Sequence, residues 1–142
     1  MNEIIEGAQV ISLFCRINMN LKKDIPIRSS EMGLLIYLVK EDNNPTPVEI
    51  AEFFKVSKPM VTAMINSLTR KGYLIKSPSQ SDRRSFTLQP TEKAVKLVGQ
   101  TYAEYYKSMK LLQNKLGQKD YNDLIKLLNN ANNILLEEKK NG

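Results

Sequence analysis

The stretch TPVEIAEFFKVSKPMVTAMINSLTRKGYL, Thr46 to Leu74, decides the fold. Thr46 stands three residues before Glu49, the spacing of a capping box. In that motif the threonine side chain takes the Glu49 N–H and the Glu49 carboxylate reaches back to the N–H of Thr46. Pro47 falls at the first helical position, where its missing donor costs nothing. The pattern predicts a short helix from Pro47 to Phe54, with Ile50, Ala51 and Phe54 on one side. Lys55-Val56-Ser57 leaves about three residues for a turn. Ser57 is a good N-cap for a second helix, and Pro59 is tolerated in its first turn. That helix is expected to run to about Lys71 and stop at Gly72, a natural residue just past a helix end. Two helices joined by so short a turn make a helix-turn-helix.

The second helix carries Val61, Ile65 and Leu68 at helical spacing, which predicts its buried stripe. Ser57, Lys58, Pro59, Thr62, Ala63, Asn66 and Arg70 fall at its start and on its other face. These side chains are short or polar. Such a face fits a major groove and can hydrogen-bond base edges. The plainer alternative is an amphipathic helix with its wet side out.

Beyond Gly72, Tyr73–Lys76 and Ser85–Leu88 read as two strands, with Pro78 and a Ser/Gln/Asp cluster between them as the turn. Asp82, Arg83 and Arg84 fall at the tip. A β-hairpin following a helix-turn-helix is a wing. An arginine there can enter a minor groove, whose negative potential attracts it. Asp82 can aim Arg84, or Arg83, through a charge-assisted pair. The alternative is a solvated loop whose charges neutralise one another.

Charge supports the nucleic-acid reading. The net charge is +6, and residues 55–93 hold eight basic side chains against two acidic ones. The rest of the chain holds thirteen of each, so the whole excess lies in about a quarter of the sequence. Positive charge confined to one region is the expected footprint of a nucleic-acid surface.

The wider composition narrows the classes. A chain of 142 residues with ordinary apolar content is expected to fold as one domain. The longest apolar run, Gly33 to Val39, is far too short to span a membrane. Glu3 and Glu6 near the start, without a basic segment, do not read as a signal peptide. There is one cysteine, Cys15, and no histidine. This removes an internal disulfide, a multi-cysteine metal site and the commonest general base. No Gly-rich phosphate loop or convincing carboxylate cluster is written, so an enzyme is not expected. No catalytic residue, metal or cofactor is assigned. The expectation is a cytoplasmic protein.

The sequence resembles the MarR-type transcriptional regulators. The likeness lies in the order of elements and in three stretches: the helix-turn-helix quoted above, the wing SDRRSFTL, and PTEKA, which is similar to the Leu-Thr-x-x-Gly opening the family's next helix. It covers about half the chain closely and the rest by pattern. Pro90 and Ala94 stand where the family commonly has Leu and Gly, and Ser67 where an Arg is common on the recognition helix. The resemblance implies dimerisation through the first and last helices. It also implies a pocket for a small aromatic effector between the dimer helices and the DNA-binding lobe. Arg16, Met19 and Tyr37 are conceivable lining residues, and the effector itself is not legible. In the family the arginine two residues after the wing Asp usually carries the contact, which selects Arg84 over Arg83. Some members sense peroxide with a first-helix cysteine. Cys15 has no second cysteine to pair with, and a free cysteine is commonly a small buried hydrophobe.

The expected architecture is therefore mainly α with a small β-wing: about six helices and a two- or three-stranded antiparallel wing. Residues 1–142 form a single MarR-like domain. Within it, 1–28 and 117–142 supply dimerisation helices, 29–93 the winged helix-turn-helix, and 91–116 one long connecting helix broken by Gly117. The first helix has two apolar stripes, which predicts burial on both sides. The functional expectation is a homodimeric regulator that binds double-stranded DNA at a pseudo-palindromic operator and is released by a small molecule. The alternative is a winged-helix module for protein contacts, which would need a wing and helix face without a basic bias, the reverse of what this sequence carries.

Overall fold

The computed structural model describes residues 2–20, 25–41, 44–78 and 85–141. Asp82, Arg83 and Arg84, the expected wing tip, lie outside the described residues, as does the side chain of Met19. Among the described residues the elements run α1 (Glu3–Asn20), α2 (Ser29–Glu41), α3 (Pro47–Phe54), α4 (Lys58–Arg70), β1 (Leu74–Pro78), β2 (Phe86–Pro90), α5 (Glu92–Tyr105), α6 (Lys107–Leu116) and α7 (Gln118–Asn141). The chain forms two compact units, residues 1–103 and 104–142.

The core of the first unit is built around α2. Met32, Leu34, Leu35, Ile36 and Leu38 are all buried there. A helix apolar on nearly every side must be enclosed, and this one is. Around it lie Ile50 of α3, Val61, Ile65 and Leu68 of α4, Leu74 and Leu88 of the hairpin, and Ala94, Leu97 and Val98 of α5. The start of α2 is held by its own third residue, Glu31. The helix begins at Ser29, and the Arg28 N–H donates to the Glu31 carboxylate at 2.9 Å. Glu31 thus supplies the return half of a capping box.

The strands β1 and β2 pair antiparallel, with Leu74 opposite Pro90, Lys76 opposite Leu88 and Pro78 opposite Phe86. Pro78 belongs to the strand rather than to the turn. Pro78 is tolerated there because, among the described residues, β1 pairs with a strand on one side only. The wing is two-stranded among the described residues, and the Leu88 N–H donates across its other edge to the Pro45 carbonyl at 3.3 Å. Thr91 ties the hairpin to α5. Its hydroxyl donates to the Gly72 carbonyl at 2.7 Å and accepts the Ala94 N–H at 3.3 Å. Ala94 is fully buried, so this turn accommodates the methyl group where the resembled family has glycine.

Three expectations change. The α1 helix is not buried on either side within the chain: Ile4 is 80% exposed, Ile11 58% and Ile17 50%. Cys15 is likewise exposed rather than a buried hydrophobe. The long connecting helix is two helices, because Tyr106 leaves helical geometry at φ −102 and ψ 9. No proline or glycine stands there, so periodicity reads straight through it. In the second unit, α6 and α7 pack on each other, and Gly117 joins them at φ 89 and ψ 157. That backbone conformation is open essentially to glycine alone. Leu127, Ile134 and Leu135 of α7 remain exposed. Among the described residues no helix is long and apolar enough to cross a membrane.

Candidate nucleic-acid interface

The site begins with the turn between α3 and α4. Thr46 caps α3 by accepting the Glu49 N–H at 3.3 Å, and its hydroxyl donates to the Glu49 carboxylate at 3.1 Å. The return contact therefore meets the Thr46 side chain, where the capping-box pattern predicts its backbone N–H. Lys55 ends α3 in the left-handed region at φ 55 and ψ 47, and its N–H donates to Ala51. Ser57 then caps α4 by accepting the Met60 N–H at 3.3 Å. Each cap satisfies a donor that a helix start otherwise leaves open, and each contributes about 1 kcal/mol.

The two faces of α4 separate as its periodicity requires. Val61, Ile65 and Leu68 are buried, while Ser57, Lys58, Pro59, Thr62, Ala63, Asn66 and Arg70 are all exposed. The exposed face carries two cations, one amide, two hydroxyls and no long apolar side chain apart from the neighbouring Met60, 51% exposed.

The far end of α4 is held by residues that periodicity does not reveal. Glu31 is 1% exposed, and its carboxylate lies 3.4 Å from the Lys71 ammonium. Burial alone would raise its pKa. A hydrogen bond from Ser67, the Arg28 N–H and the charge of Lys71 outweigh that and hold it below the ordinary value. Ser67, on α4, thus faces inward to Glu31. Lys71 is also bound through its carbonyl, which accepts the Lys93 ammonium at 2.6 Å. Gly72 follows at φ 84, a left-handed residue that turns the chain into the hairpin.

The hairpin contributes a second residue that sequence reasoning missed. The Lys76 ammonium donates to the Asn66 side-chain oxygen at 3.4 Å and stands 5.0 Å over the Phe86 ring. One cation therefore bridges the exposed face of α4 and the wing. For Glu31 a sequence signal exists, its position three residues after Arg28. For Lys76 none does, because the contact depends on how the hairpin folds back on α4.

Of the expected effector residues, the Met19 side chain lies outside the described residues, and the contacts of the other two are these. The Arg16 guanidinium lies near Ser12 of its own helix at 3.5 Å. Tyr37 stacks on Phe53 with ring centroids 4.2 Å apart and meets Phe54 edge-on at 5.5 Å.

Comparison with known proteins agrees with this architecture. The model of the MarR family matches residues 29–86, which run from α2 into β2. The chain is 26% identical over 104 residues to the HTH-type transcriptional regulator BilQ of Clostridioides difficile (strain CD3), covering 72% of this chain and 70% of that protein. Among solved structures, the fold is similar to a MarR protein from Peptoclostridium difficile DA00132, with a TM-score of 0.74 and 22% identity over 96% of this chain and 90% of that one. It is similar also to the S. aureus MepR–DNA complex, with a TM-score of 0.78 and 16% identity over 95% and 99%. The family model, the curated relative and the fold agree: residues 29–86 match the MarR family, and the chain is similar to winged helix-turn-helix proteins of that family.

Proposed function

We propose that this protein is a transcriptional regulator that binds double-stranded DNA as a homodimer, with α4 in the major groove. The single observation that carries the reading is the exposed face of α4: Lys58, Thr62, Asn66 and Arg70 stand free of apolar cover on a helix capped at its start and clamped at its end. Ser57, Pro59 and Ala63 complete the surface that would approach the groove. Asp82, Arg83 and Arg84 extend it to the minor groove on the sequence reading alone. The family is made up of transcriptional regulators, and we read the chain as non-enzymatic and cytoplasmic.

The dimer follows from the chain ends. Ile4, Ile11 and Ile17 of α1 and Leu127, Ile134 and Leu135 of α7 form apolar faces that the single chain leaves in water. A soluble monomer seldom exposes this much, and a second copy would cover it. Residues 1–28 and 117–142 thus serve as the dimerisation region, 29–93 as the DNA-binding lobe and 91–116 as the connection between them. A small aromatic effector releasing the DNA is the accompanying proposal, by family likeness.

Selection of bound sites from a random duplex pool, followed by titration of binding against salt, tests this. The expected result is a pseudo-palindrome with half-sites roughly 10 base pairs apart. The expected salt slope of log K is steep and negative. Absence of binding at low salt would refute the reading.

A further inference from the structure

We propose that Lys76 sets which bases Asn66 can read, making Asn66 a donor rather than a bidentate adenine reader. This rests on the reading that α4 occupies the major groove. An asparagine presents an acceptor and a donor on one amide. Unhindered, it pairs with adenine by accepting from N6 and donating to N7. Here the Lys76 ammonium stands 3.4 Å from the Asn66 Oδ1. A lysine only donates, so the amide atom facing it is the oxygen, and the NH2 group is turned the other way. One of the oxygen's two lone pairs is taken and a cation stands on the acceptor side, while the donor half of the amide remains.

Lys76 is itself held. Its ammonium stands 5.0 Å over the Phe86 ring. The strand register, Lys76 opposite Leu88 and Pro78 opposite Phe86, makes Lys76 and Phe86 diagonal neighbours. Pairs in that position lie within reach of long and aromatic side chains. The hairpin therefore fixes the cation, and the cation fixes the amide. A remaining NH2 donor matches the keto bases in the major groove, guanine through O6 and N7 or thymine through O4. Against adenine the N6 amino group must approach the oxygen beside the Lys76 ammonium, a second donor, which weakens that one of the two bonds. Cytosine presents only its own donor.

The experiment selects sites from a random duplex pool with three full-length proteins: wild type, Asn66→Ala and Lys76→Met. Wild type is expected to prefer guanine or thymine at one position of each half-site, by about tenfold in Kd over adenine. Asn66→Ala should erase the preference at that position alone. Lys76→Met should shift it toward adenine, because the freed oxygen restores the bidentate pair, while the other positions stay unchanged. Three outcomes overturn the inference and leave the regulator reading intact. Wild type prefers adenine at the Asn66-dependent position. Asn66→Ala changes no position. Lys76→Met weakens binding uniformly with base preference unchanged, which makes Lys76 a phosphate contact only. Failure of wild type to enrich any site is a different result and strikes the regulator reading itself.

Discussion

Glu31 on α2 and Lys71 at the end of α4 form an ion pair of 3.4 Å in which the carboxylate is buried and the lysine side chain is 41% exposed. The pair fastens α4 to the central helix of the core. Because the lysine keeps its water, the cost of burial falls mainly on the carboxylate, and three donors offset it.

Acid should loosen this clamp. The folded-state pKa of Glu31 lies below its ordinary value of 4.5. A depressed carboxylate stabilises the fold fully above the unfolded value, and the contribution is lost as pH falls through the folded one. Glu31→Gln should therefore cost about 1–3 kcal/mol in urea unfolding at neutral pH. The gap between wild type and variant should shrink as the pH falls below 4.5. An equal gap at neutral and acid pH would show that shape, not charge, holds the contact.

Thr46→Ala should remove about 1 kcal/mol of stability, read as a lower urea midpoint with unchanged slope, since it deletes a side-chain cap on α3. Thr46 lies before the turn and off the exposed face of α4, so the salt slope of DNA binding should stay that of wild type. A change in that slope would mean that the cap orients α4 as well as stabilising α3.

The wing tip gives a third test, from sequence. Arg84→Ala should weaken binding to operator and random DNA together and flatten the salt slope by about one unit. Asn66→Ala should instead cost about 1–3 kcal/mol on the operator and little on random DNA. Asp82→Ala should reproduce part of the Arg84 loss, because the arginine remains but is no longer aimed. Successive hairpin residues point to opposite faces, so Arg83→Ala should be the milder change. If Arg83→Ala is the more damaging, the expected register is off by one.

Sedimentation of the intact chain should report a dimer. Ile4→Glu combined with Ile134→Glu places two carboxylates on residues that are 80% and 68% exposed in the single chain. Neither residue supports the core, so folding by circular dichroism should be retained while the dimer dissociates. Operator affinity should then fall by about a hundredfold or more, as two half-sites no longer act together. A double variant that stays dimeric would place the interface elsewhere.

What the sequence by itself determined is what depends on neighbours along the chain. Thr46 and Glu49, Ser57 and Met60, and the φ of Gly72 lie within one helical turn of the groups they serve, so spacing alone located α3, the turn and α4. The alternation of Val61, Ile65 and Leu68 with Thr62, Asn66 and Arg70 likewise assigned the two faces of α4, because helical period is a local property. Only the tertiary structure could bring Glu31 to Lys71, forty residues away. Only it turned Ser67 inward to meet that carboxylate, and only it swung the hairpin so that Lys76 reaches Asn66. It also decided that the apolar stripes of α1 stay exposed. An apolar stripe specifies that a helix seeks cover, whereas the packing of the other elements determines whether its own chain supplies any. These contacts arise from where packed elements place their side chains, which no spacing along the chain encodes.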